Sequence, residues 1–143
     1  MQREIGTGRG IVAGVSQGLA LVSSQSFSFW GDLDPKTGKV INPRSDLFGE
    51  SVKDRVFVYP CGRGSSTTSA FLLEAIRCST APCAIINMQV EPILAIGVLI
   101  AQEIYDRTIP ILAVSEDVFH LLQTGDYLLV DSVAGKLYRQ DDF

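Results

Sequence analysis

The chain reads as an α/β protein, a glycine-rich β section followed by a β-α-β-α-β layer, and three observations carry that reading. Up to Val22, glycines at 8, 10, 14 and 18 punctuate β-branched and small residues (Ile11-Val12, Leu19-Ala20-Leu21-Val22). That spacing suits twisted strands with bulges or tight turns better than a helix. From Arg55 onward, short apolar runs alternate with helical stripes, the pattern of a parallel sheet with crossover helices. Between these parts, Gly62-Arg63-Gly64-Ser65-Ser66-Thr67 joins the run Val56-Phe57-Val58-Tyr59-Pro60 to a helix start.

In order, Asp34-Pro35-Lys36-Thr37-Gly38 predicts a turn, with proline fixing φ and glycine taking the left-handed position, before Lys39-Val40-Ile41. Gly49-Glu50-Ser51-Val52 leads into a strand over Arg55 to Tyr59. Ser66 to Arg77 carries Phe71, Leu72, Ala75 and Ile76 on one helical stripe, and Ala84-Ile85-Ile86 reads as a buried strand. Glu91-Pro92 opens a second helix to about Tyr105, with proline in its first turn and Glu91 complementing the dipole. Its aliphatic residues cover nearly every face, which predicts a largely buried helix. Ile109 to Val114 is a further strand, Glu116 to Leu122 a short helix, and Tyr127 to Val130 with Lys136 to Tyr138 a closing hairpin.

At 143 residues the chain fits one domain, residues 1–143, able to bury a core without metals or disulfides. A hydrophobic fraction of 46% with 20% charged residues is that of a soluble globular protein. The net charge of −4 and scattered basic residues argue against a phosphate-tracking, nucleic-acid-binding surface. Cys61, Cys78 and Cys83 form no C-x-x-C pair and suit a reducing cytoplasm. The opening Met1-Gln2-Arg3-Glu4 is not that of a secretory leader, and the apolar stretch from Ile93 to Ala101 is too short for a bilayer. A cytoplasmic protein that binds no membrane is expected.

The turn after the first parallel strand is the candidate site. Glycines let backbone approach a ligand, and the free N–H groups of the following helix face outward with the positive end of its dipole. Arg63 adds a permanent cation. The segment matches neither a P-loop nor a dinucleotide fingerprint, and an ordinary capped helix fits the same residues. Elsewhere, Asp32 and Asp34 read as turn chemistry, His120 as structural, Cys61 as a small buried filler, and Phe27, Phe29 and Trp30 as core or a partner-facing surface.

Several motifs in order then identify a resemblance. Ser28-Phe29-Trp30-Gly31, Asp34 to Gly38, Gly49 to Val52, Pro60-Cys61-Gly62-Arg63-Gly64-Ser65-Ser66, Ala81-Pro82 and Glu91-Pro92-Ile93-Leu94-Ala95 resemble the swivel domain, or small subunit, of the aconitase X enzymes. The resemblance implies a swivelling β/β/α fold and a larger aconitase-like partner subunit that holds an iron–sulfur cluster. It implies a carbon–oxygen lyase in which Ser65, directly after the glycine turn, is the base. Arg63, Gly64 and Ser66 would line the substrate or oxyanion site, and Ser66 rivals Ser65 for the role. Thr68 and Asp32 stand where glycine is frequent in the family. The Phe29-Trp30 pair, Arg63 and the helix through Tyr105 resemble members acting on cis-3-hydroxy-L-proline more than those acting on mevalonate 5-phosphate. A non-catalytic anion-binding adaptor or a purely structural partner are the competing classes.

Overall fold

A computed structural model describes residues 2–63 and 66–140, with Ser66 described in its backbone only. The chain runs β1 (Gln2–Val12), β2 (Val15–Val22), a helical turn α1 (Phe29–Asp32), β3 (Leu33–Asp34), β4 (Lys39–Val40), β5 (Val56–Val58), α2 (Ser66–Arg77), β6 (Ala84–Asn87), α3 (Pro92–Tyr105), β7 (Ile111–Val114), α4 (Glu116–Phe119), β8 (Tyr127–Asp131) and β9 (Lys136–Gln140). Strands close into a barrel in the order β1-β7-β6-β5-β2-β8-β9, and β3 and β4 form a separate hairpin.

The predicted α/β alternation is present: β5, β6 and β7 pair in parallel through the crossover helices α2 and α3, and β2 joins β5 in parallel. Closure into a barrel was not readable from local patterns. It follows from β1, whose long strand pairs antiparallel with β7 at one end and β9 at the other. Register shifts within β1 between Glu4 and Gly6 and between Gly10 and Val12 supply the bends that closure demands. Gly8 and Gly10 lie where chains cross closely: a Cβ on Gly10 would stand 1.9 Å from the Ser132 carbonyl oxygen.

Strand alternation divides the apolar residues into two cores. Val56, Val58, Ala84, Ile86, Leu112 and Val114 point into the barrel, joined by Leu128, Val130 and Leu137 and capped by Phe119 and Leu122. Phe57, Ile85 and Ile111 point outward under α2 and α3, with Leu72, Ile76, Leu94 and Val98 above them. The strap between β2 and β5 packs onto this outer core through Phe27, Phe29, Leu33 and Val40. There Phe27 meets Phe57 edge-on at 4.7 Å and Phe29 at 5.2 Å.

The expectation of a largely buried α3 is corrected. Leu94, Gly97, Val98 and Ala101 face inward, whereas Ile93, Ile96, Leu99, Ile100 and Ile104 are exposed. The helix lies outermost on the sheet, and the sheet and α2 cover only one side of it. Gly97 permits that packing, since a Cβ there would come 2.9 Å from the Ser69 Cβ on α2. Gly97→Ala is therefore expected to lower the melting temperature by a few degrees, although alanine gains about 1 kcal/mol in helix propensity. Thermal denaturation followed by circular dichroism checks this; an unchanged or raised Tm would mean the helices yield freely.

Candidate functional site

The Cys61–Arg63 turn continues the β5 strand between two neighbours. Cys61 bridges to Gln89 on one side, and Gly62 bridges to Phe27 on the other. Phe27 donates its N–H to the Cys61 carbonyl and accepts from Arg63 N–H at 3.0 Å. Gln89 N–H donates to the Pro60 carbonyl at 3.2 Å. The turn is thus fixed from both flanks at the carboxyl end of the parallel strands β5 and β6. Gly64 and Ser65 lie outside the described residues, and α2 begins at Ser66.

Arg63 is half-exposed and is not a bare cation: its Nη2 donates to Asp32 Oδ2 at 2.6 Å. Asp32 is 3% exposed and carries more than a turn's chemistry. The same Oδ2 accepts from Ser28 N–H at 2.9 Å, and Oδ1 accepts from Asn42 Nδ2 at 2.7 Å. One buried carboxylate therefore ties together α1, the segment after β4 and the turn, with charge-assisted bonds that are the stronger kind. Asp34 does behave as expected, accepting from Lys36 N–H at 3.0 Å within the β3–β4 turn.

Thr68, in the first turn of α2, is buried with its Oγ1 3.2 Å from Ser28 Oγ. Asp32 and Thr68, the two positions at which glycine was expected, belong to one network through Ser28. On the other flank Glu91 precedes α3 without capping it through its side chain. Its carboxylate lies against the turn instead, with Oε2 3.4 Å from where a Cβ on Gly62 would be. Beneath, Asn87 at the end of β6 is fully buried and donates from Nδ2 to the Tyr59 carbonyl at 2.9 Å, while its Oδ1 finds no partner among the described residues. Burial pushes the Tyr59 phenol above its ordinary pKa, so it stays neutral.

The other candidates separate. Phe27 and Phe29 are core, but Trp30 is 57% exposed two residues before Asp32. Cys61 is half-buried, as are Cys78 and Cys83. His120 is exposed beside Glu116, 3.5 Å away, on the rim of a 340 Å³ pocket floored by Val22, Pro60, Met88 and Phe119. Among the described residues no group of three or more His, Cys, Asp or Glu is placed to hold a metal. No helix among them is long and apolar enough to cross a membrane.

A family model described as the aconitase X swivel domain matches residues 5–138. The chain belongs to the aconitase X swivel-domain family. Within it, the chain is 36% identical over 128 residues to the phosphomevalonate dehydratase small subunit of Methanococcoides burtonii, covering 89% of both. It is also 36% identical to the cis-3-hydroxy-L-proline dehydratase of Hypocrea jecorina, covering 87% of this chain but 21% of that one. A chain in the crystal structure of holo-form aconitase X from Thermococcus kodakaraensis superposes with a TM-score of 0.85 at 33% identity, covering 99% of each. The M. burtonii and H. jecorina relatives are named as a dehydratase small subunit and a dehydratase, which places this swivel domain among the hydro-lyases.

The sequence reading located the turn and its strand–turn–helix setting. It missed Asp32 as an anchor and Glu91 as a wall, because neither has a local signature: each acts on a turn that is distant in sequence or joined only through the sheet.

Proposed function

We propose that this chain is the small subunit of an aconitase-X-type dehydratase that supplies Ser65 as the base, with cis-3-hydroxy-L-proline as the substrate. The subunit role follows from the family and from relatives named as small subunits. An aconitase-like large subunit would be the partner and would hold the iron–sulfur cluster, as the aconitase X family and the relatives named as small subunits suggest.

In this reading Ser65, deprotonated, takes the proton from the carbon bearing the carboxylate. The electron pair so released forms the carbon–carbon double bond as the hydroxyl on the adjacent carbon departs. A serine hydroxyl is a weak base, so its alkoxide needs stabilisation by the helix N–H groups and nearby positive charge. Arg63, oriented by Asp32, presents its remaining N–H donors to the carboxylate, whose negative charge grows as the proton leaves.

The observation that carries the substrate choice is the charge around the turn. Arg63 is matched by Asp32, and Glu91 adds a second carboxylate beside Gly62. Such a surface suits a zwitterion, whose ring ammonium can face Glu91, better than a substrate bearing both phosphate and carboxylate. A second reading, mevalonate 5-phosphate, is favoured by the M. burtonii small subunit, a separate chain that matches over 89% of its length.

Parallel assays of the reconstituted enzyme on both substrates decide between them. With cis-3-hydroxy-L-proline as substrate, Glu91→Gln is expected to raise KM about 10-fold, the scale of one lost charged contact. Activity on mevalonate 5-phosphate alone, with KM lowered by the same substitution, would reverse the assignment.

A further inference from the structure

The exposed side of α3 is the second feature of this chain that calls for a partner. Ile93, Ile96, Ile100 and Ile104 follow one another at helical spacing, with Leu99 beside them, and each is between 37% and 63% exposed. Gln102 and Glu103 are the polar residues of the helix, which carries no lysine or arginine. An apolar arc opposite an apolar buried face is the pattern of a helix buried all round, yet here half of it meets water. Its exposed area, roughly 400 Å², is within the range of the largest apolar patch on a typical monomer, a patch that is often functional, and amounts to the apolar centre of one side of a standard interface.

We propose that this face of α3 docks the large subunit. The inference rests on the small-subunit reading given above for its partner. Two observations favour that occupant over a second copy of this chain. The arc starts at Ile93, two residues from Glu91, whose carboxylate lies against Gly62, so a body seated on it stands beside the candidate site. In the H. jecorina relative the matching region is 21% of one longer polypeptide, so the remaining bulk of that enzyme is available in the same molecule to cover the domain. Trp30, exposed two residues before Asp32, would meet the same partner on the opposite flank of the turn.

The test is the double variant Ile96→Glu with Ile100→Lys, an i, i+4 pair that itself supports a helix. The full chain would be mixed with the purified large subunit and the dissociation constant measured by calorimetry. Association is expected to weaken at least about 100-fold, the effect of charging the centre of an interface. The Tm of the isolated chain should not fall, and Val133→Glu, at an exposed apolar residue in the β8–β9 turn, should leave binding unchanged. At saturating large subunit kcat should return to within about 2-fold of the parent, which separates lost docking from a wrong catalytic assignment. Unchanged binding by the double variant would overturn the proposal. So would a parent chain that self-associates through this face while its monomeric variant still binds the large subunit.

Discussion

Ser65→Ala, reconstituted with the large subunit, is expected to lose about 10³-fold or more in kcat, the scale of removing a positioned base. Assembly should be unaffected. Removing one hydroxyl at a helix start costs about 0.5–2 kcal/mol if it also caps the helix, too little to unfold the domain. A catalytic role therefore predicts a large kcat effect with little change in Tm or in affinity for the partner. The competing classes predict otherwise: a structural subunit tolerates the substitution, and an anion-binding adaptor shows a ligand-induced thermal shift with no large subunit present. Ser66→Ala, applied to the rival hydroxyl, should reduce kcat far less. If Ser66→Ala proved the more damaging of the two, the base would have to be reassigned.

Asp32→Ala should harm both stability and turnover. The substitution removes the acceptor for Ser28 N–H, Asn42 Nδ2 and Arg63 Nη2 from a site that is 3% exposed. Leaving a buried N–H without a partner and losing charge-assisted bonds costs about 2–3 kcal/mol, discounted for the half-exposed Arg63. For a chain of this size the fall in Tm is about 6–10 °C. Freed of its anchor, Arg63 samples several orientations, and kcat/KM should drop about 10- to 100-fold through mispositioning. Asp32→Asn, which keeps an acceptor oxygen and the shape, should recover part of the stability and less of the activity. Equal recovery of both would mean that Asp32 acts only as a packing element.

Much of this protein was legible because local chemistry and tertiary structure agree. Glycine and proline placed the β3–β4 turn at Asp34 to Gly38, and the apolar run Ala84-Ile85-Ile86 announced a strand buried on both faces. Pro92 marked the start of α3 correctly. What failed depends on more than one segment. Closure of the barrel needs β1 to serve two edges at once, and no window of sequence states which edges those are. The burial of α3 was overestimated because periodicity reports how many faces are apolar, not how many neighbours the chain provides. At the site, Arg63 was recognisable as a cation but its pairing was not, since Asp32 reaches it only after the strap has folded across the sheet.

Dehydration by the purified large subunit and this chain, assayed separately and together on cis-3-hydroxy-L-proline and mevalonate 5-phosphate, tests the role of Ser65 and the choice of substrate at once. Loss of water from cis-3-hydroxy-L-proline is expected only when both subunits are present, and should disappear when this chain carries Ser65→Ala. Equal turnover by the large subunit alone, or by the pair carrying that substitution, would contradict the role given to Ser65.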